Sequence, residues 1–232
     1  MVTLTNKDLK VNVSAHGAEL QNIICGGKEY LWQGDSKYWG RRSPVLFPIV
    51  GRLYDGVSKY RGGEIRLSQH GFARDMEFEI VQQSECSVTY RLDSCERTLE
   101  VFPMEFRLEI SYKLEDRGIV VGWRVENIGK DELAFQIGAH PAFYFADFDP
   151  NGSDRGYLSF DSAETLEYII PVGKGCTGPE KYVLERDQKG MMPIGAGSFK
   201  VGTYVFEDSQ IKKITLCDTE RRPYVSVEFD TP

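Results

Sequence analysis

Between Leu108 and Val125 apolar and polar side chains alternate. Leu108, Ile110, Tyr112 and Leu114 are separated by Glu109, Ser111 and Lys113. After Glu115-Asp116-Arg117-Gly118 the period resumes as Ile119, Val121, Trp123 and Val125. A period of two puts one set of side chains on one face of a strand, and two such runs about a glycine-containing turn predict a β-hairpin. The same pattern predicts strands over Leu9-Val11-Val13, from Ile80 to Leu92, from Tyr157 to Phe160 and over Val225-Val227-Phe229. No stretch keeps apolar residues at helical spacing over a dozen positions. Gly26-Gly27, Gly62-Gly63, Asn127-Ile128-Gly129 and Asp149-Pro150-Asn151-Gly152 read as turns. Many short strands with no linker between them predict an all-β, antiparallel sandwich or barrel, with residues 1–232 as one domain.

Composition narrows the partners. The chain has 28 Lys plus Arg against 35 Asp plus Glu, a formal charge of −7. An acidic chain without a basic run is a poor ligand for nucleic acid or for an anionic membrane. Five cysteines (Cys25, Cys86, Cys95, Cys176 and Cys217) show no CxxC and no metal-type spacing. An odd, scattered set fits a reducing compartment, and the amino terminus lacks a signal-peptide pattern, so a cytoplasmic location is expected. Twelve Tyr and thirteen Phe suit half-buried pleated surfaces.

Two of the three histidines lie in aromatic, turn-forming segments, Gln69-His70-Gly71-Phe72-Ala73-Arg74-Asp75 and Gly138-Ala139-His140-Pro141-Ala142-Phe143. Imidazole is the side chain that gives or takes a proton near neutrality. His70 sits in a strand-end loop, either as a solvated turn residue or as a presented functional one. His140 precedes a proline, which biases it toward extended backbone; a core histidine and a functional one are equally compatible with that. Arg52 follows Gly51 in a segment otherwise apolar from Val45 to Leu53. A cation there must find an acceptor, either a carboxylate such as Asp55 or substrate hydroxyls. Phe72 is expected to pack inward, with Arg74 and Asp75 reaching outward or pairing. Trp32, Tyr38, Trp39 and Tyr54 offer faces for a sugar ring, and His16 reads as structural. No GxGxxG, phosphate-binding loop, HExxH or GxSxG is present, and no metal-ligand spacing appears.

Four segments carry a resemblance. They are Gly17-Ala18-Glu19-Leu20, the run from Tyr38 to Leu53 containing Phe47-Pro48-Ile49-Val50-Gly51-Arg52, His70-Gly71-Phe72-Ala73-Arg74-Asp75, and His140-Pro141-Ala142-Phe143. In order and spacing the chain resembles the aldose 1-epimerase (galactose mutarotase) family, nearest to the bacterial branch associated with lactose-type sugar operons. The resemblance implies a galactose-mutarotase-like antiparallel β-supersandwich that interconverts the α and β anomers of an aldohexose through ring opening, without a cofactor. By that resemblance His140 is the general acid for the ring oxygen and His70 the second active-site histidine. Arg52 binds substrate, and Arg74 orients His70 or a sugar hydroxyl. The partner implied is a monosaccharide, with no metal, nucleic acid or membrane.

Two departures follow. The family's general base is a glutamate in an Ile-Glu-Pro-Trp-like motif near the carboxyl terminus. This chain stops at Pro223-Tyr224-Val225-Ser226-Val227-Glu228-Phe229-Asp230-Thr231-Pro232, a strand that precedes that motif in the family. The chain is therefore expected to be C-terminally truncated and a weak or inactive epimerase, and Glu228 is not the replacement base. Gly202 stands where the family carries a ligand-binding aspartate, and Asp208 is out of register. The alternative reading is a non-catalytic sugar-binding or sensory protein of the same fold. A polysaccharide lyase or hydrolase ranks lower, since glycosidase chemistry needs two carboxylates. Arg41, Arg42 and Arg74 suit a phosphate, yet the acidic balance favours a neutral sugar.

Overall fold

The structure is a computed structural model that describes residues 1–145, 148–149, 151–153 and 155–230. Contacts cluster into two compact units, Met1–Tyr144 and Phe145–Pro232. The chain is nearly all β. Helical segments among the described residues amount to a four-residue helix α1 (Glu96–Leu99) and two three-residue 3₁₀ turns.

In the first unit, β1 (Val2–Thr5), β2 (Leu9–Val13), β3 (Leu20–Cys25) and β4 (Lys28–Glu29) form an antiparallel meander. Three short strands follow: β5 (Val45–Leu46), β6 (Val57–Tyr60) and β7 (Gly63–Arg66), the last two paired as a hairpin. A second four-stranded sheet has the order β11-β10-β9-β8, with β8 at Glu79–Gln83, β9 at Ser87–Asp93, β10 at Phe106–Glu115 and β11 at Gly118–Asn127. Finally β12 (Gly138–Ala139) pairs with β5.

The alternating residues carry the core. In β9 Val88, Tyr90 and Leu92 face inward opposite Tyr112, Ile110 and Leu108 of β10. They pack with Leu4, Val11 and Val13 of the first meander in one apolar cluster. Burying each such aliphatic side chain contributes about 1.5–3 kcal/mol. Two tyrosines tie the sheets together: Tyr90 donates to Val13 O at 3.1 Å and Tyr112 to Ala18 O at 2.6 Å. Burial pushes the Tyr90 hydroxyl up to about 12 and the Tyr112 hydroxyl upward as well, so both remain protonated donors at neutral pH.

The structure refines the sequence reading in two places. The run from Ile80 to Leu92 is not one strand, because a turn at Ser84–Cys86, closed by Ser87 N–H donating to Ser84 Oγ at 3.0 Å, divides it into β8 and β9. The hairpin of β10 and β11 forms in the expected register, but β11 is a sheet edge. Its Val121 is exposed, and Ile119, Trp123 and Val125 only fringe the core. A strand with one neighbour lacks cover that period-two patterning cannot report.

The second unit carries the expected strand Tyr157–Phe160, flanked by Met192–Pro193 and Lys213–Cys217, with Pro223–Glu228 at the edge. Its smaller core is Leu166, Leu184, Met192 and Ile211. Of the expected turn Asp149-Pro150-Asn151-Gly152, Pro150 lies outside the described residues. Asp149 accepts from Asn151 N–H through its side chain and from Gly152 N–H through its carbonyl.

A parallel bridge between Phe47 and Gly71 lies at the junction of β5 with the loop after β7. Gly71 has φ +70°, and a Cβ there would stand 2.2 Å from Phe47 O. Gly71→Ala is expected to cost roughly 1–3 kcal/mol from backbone strain alone, with more from displacing Phe47. A urea midpoint unchanged from wild type would contradict this packing.

Candidate active site

The site is built on residues 42–51, with β5 (Val45–Leu46) at their centre. Glu19 fixes its start by accepting N–H bonds from Arg42 (2.9 Å) and Ser43 (2.8 Å) at Oε1. Prolines 44 and 48 have no N–H to satisfy, so they suit a segment whose carbonyls face neighbours on both sides. On one edge, Pro44 O accepts from His140 N–H at 3.1 Å and Pro48 O from Gln136 N–H at 2.9 Å, while Ala142 N–H donates to Arg42 O. On the other edge, Phe47 O accepts from Phe72 and Ala73 N–H, and Gly51 O from His70 N–H at 2.8 Å. The two histidine segments thus flank one strand, although seventy positions separate them in the chain.

That arrangement brings the imidazoles of His70 and His140 to 5.9 Å between ring centroids. His140 is exposed, and its ring lies against Trp39 at 5.0 Å. Trp32 anchors the Trp39 main chain, donating from Nε1 to Trp39 O at 2.8 Å. His70 is half-buried and adopts φ +68°, in the left-handed region. Its Nδ1 accepts from Gly51 N–H at 3.0 Å.

Arg52 is exposed rather than buried. Its Nε and Nη2 both donate to Gln69 Oε1, at 3.1 and 2.8 Å. Arg74 does not reach outward: its side chain is 16% exposed and turns back to donate from Nη2 to Gln69 O at 2.7 Å. Asp75 pairs with Arg74 Nε at 3.7 Å, the pairing expected, and with Arg41 at 2.8 Å. Phe72 packs inward against Phe47, Phe102 and Phe106 as expected. Gly17, with φ +67°, lets its turn approach Arg74, since a Cβ there would stand 2.7 Å from Arg74 O. His16 lies outside this constellation, its Nδ1 2.7 Å from Glu77 Oε1.

All four candidate residues therefore lie in the first unit: the two imidazoles adjoin each other, and Gln69 links Arg52 to Arg74. Sequence reasoning missed Gln69 and did not place Trp39 beneath His140. Gln69 carried no signal beyond its adjacency to His70. Trp39 was one of four aromatic candidates, and only the crossing of strands selects it.

Electrostatics bias His70 toward its uncharged form. Burial lowers its pKa first, and the positive groups Arg74, His140, Arg52 and Arg41 lower it further. Burial and Arg41 also depress the Arg74 guanidinium, partly offset by Asp75 and Glu19, and Arg74 remains a cation. In the second unit Gly202 has φ +87°, a backbone in which an aspartate would be strained, and Asp208 pairs with Lys181. Glu228 pairs with Lys213 across neighbouring strands. Among the described residues, no group of three His, Cys, Asp or Glu is arranged to hold a metal. No helix among them is long and apolar enough to cross a membrane.

Comparisons with known proteins bear on the family and the fold. A family model described as aldose 1-epimerase matches residues 1–190. Plasmid-encoded protein LacX of Lactococcus lactis subsp. lactis is 34% identical over 149 residues, covering 61% of this chain and 50% of LacX. The chromosomal LacX of the same organism is 35% identical over 151 residues with the same coverage. The chain thus spans about half the length of the curated relatives it matches. A galactose mutarotase related enzyme from Lactobacillus acidophilus superposes with a TM-score of 0.85 at 28% identity, covering 94% of this chain and 73% of that one. A galactose mutarotase-like protein from Lactobacillus casei gives 0.87 at 28% identity, covering 96% and 76%.

The depressed His70 pKa makes stability depend on pH. As the pH falls below the ordinary histidine value of about 6.5, the unfolded chain binds that proton before the folded one does. The His70 contribution is therefore complete above 6.5 and is lost as the pH drops from there through the lower folded value. His70→Asn, which tolerates the left-handed backbone, should flatten this slope. Urea midpoints at about pH 5 and about pH 7.5 would read the difference, and parallel slopes in the two proteins would refute it.

Proposed function

Because the chain belongs to the aldose 1-epimerase family, we propose that its site interconverts the α and β anomers of a free aldohexose. The observation that carries this reading is the convergence of His70 and His140 at 5.9 Å beside Arg52. Two imidazoles at that separation reach different oxygens of one monosaccharide ring, and Trp39 adds an apolar face beside them.

The reaction needs one proton removed from the anomeric hydroxyl and one delivered to the ring oxygen. The C1–ring oxygen bond breaks, rotation about C1–C2 exposes the other carbonyl face, and closure reverses the two transfers. His140 delivers the proton to the ring oxygen. His70, kept uncharged, donates a hydrogen bond to a sugar oxygen from Nε2–H. Arg52 binds hydroxyls through the guanidinium N–H groups not engaged by Gln69. Arg74 anchors the His70 loop through Gln69 O. Acid–base transfers of this kind each accelerate a reaction by typically ~10²–10⁴-fold, and no cofactor enters.

The carboxylate that serves as base in the family belongs to a motif absent from residues 1–232. A 232-residue polypeptide assayed without that carboxylate lacks one acid–base partner, worth typically ~10²–10⁴-fold. A small carboxylate should substitute for it. Polarimetry of α-D-galactose should show a saturable, acetate-dependent acceleration above the buffer-catalysed rate. His140→Asn and His70→Asn should each abolish that acceleration. Absence of any protein-dependent acceleration, with or without acetate, would sink the epimerase reading.

A further inference from the structure

Burial and the neighbouring cations favour the uncharged form of His70. An uncharged imidazole has one N–H and one ring lone pair, and two donors face this one. Gly51 N–H donates to Nδ1 at 3.0 Å. On the other side the Gln69 amide lies 3.3 Å from Nε2. Arg52 donates twice to Gln69 Oε1, so the end turned to the ring is the NH₂. When Nδ1 accepts from Gly51, the proton sits on Nε2 and opposes the Gln69 amide. When Nε2 accepts from Gln69, the proton sits on Nδ1 and opposes Gly51. The tautomer is decided by which donor is held more firmly in place.

Side-chain packing does not hold the Gly51 peptide. Gly51 has φ +81°, and a Cβ on it would meet nothing within 4 Å. Its direction rests on hydrogen bonds at either end. His70 N–H donates to Gly51 O at 2.8 Å. On the preceding residue, Val50 N–H donates to Gln136 Oε1 at 3.0 Å. Gln136 N–H in turn donates to Pro48 O at 2.9 Å. Gln136 thus grips residues 48 and 50 at two points, from the segment that carries His140. We propose that Gln136 is a positioning residue: by holding the Val50 main chain it aims the Gly51 N–H at His70 Nδ1 and keeps the ring proton on Nε2, against the pull of Gln69. The use of that Nε2–H, donation to a sugar oxygen, rests on the epimerase reading above. Which nitrogen carries the proton does not.

Long-range ¹H–¹⁵N spectra of ¹⁵N-labelled protein read the tautomer directly, without sugar and at about pH 8, above the ordinary histidine pKa. Wild-type His70 should appear as Nε2–H. Gln136→Met keeps the side-chain length without an amide oxygen, and should raise the Nδ1–H population about fivefold, the worth of one net hydrogen bond. Gln136→Glu retains an acceptor and should keep the wild-type shifts. Adding Gln69→Met to Gln136→Met removes the competing donor and should return the proton to Nε2. Gln136 is exposed, so these exchanges leave the core in place. A merely structural role would lower the urea midpoint of Gln136→Met and leave the His70 shifts unchanged. That outcome, a wild-type ring in the Nδ1–H form, or a double variant that stays Nδ1–H overturns the proposal. Because no turnover is involved, polarimetric inactivity would strike the epimerase reading and leave this assignment intact.

Discussion

The two-sided hydrogen bonding of residues 42–51 is the constraint on which the rest depends. A backbone stretch has donors and acceptors on both edges, and buried ones must be paired. Here the 136–142 segment pairs one edge and the 70–73 segment pairs the other. The Phe47 side chain plugs the core among Phe72, Phe102 and Phe106, so the stretch cannot slide without opening apolar surface. The catalytic candidates inherit their separation from this packing rather than from any contact between themselves.

Charge then determines what the geometry can do. An acidic chain concentrates Arg41, Arg52, Arg74 and two imidazoles around one short strand. Such a cluster disfavours a further positive charge on His70. His140 sits more openly against Trp39, where an incoming ring can reach it. The two histidines are alike in sequence chemistry and unlike in surroundings.

Much of the scaffold was legible. Alternation located the hairpin of β10 and β11 and the inward faces of β2 and β9, because a residue's face in a strand follows from parity alone. It did not reveal the break at Ser84–Cys86, before which β8 is exposed throughout, nor the thin cover over β11. The Gly-Ala-Glu segment was legible only as a resemblance. Its physical meaning is tertiary: Gly17 gives Arg74 room, and Glu19 caps the start of the 42–51 stretch.

The sequence by itself determined the fold class, the strand faces and the identity of the four candidate side chains. The fold class and faces rest on local parity and turn chemistry, the two histidines on the scarcity of groups that titrate near neutrality, and the roles of Arg52 and Arg74 on the family resemblance. Tertiary structure alone decided that Arg52 is exposed and clamped by Gln69, that Arg74 turns inward, and that Trp39 is the aromatic beside His140. Each depends on which distant backbone runs alongside residues 42–51. The pairing of segments 19 to 100 positions apart is set by burial and hydrogen-bond satisfaction over the whole unit, which no local pattern encodes.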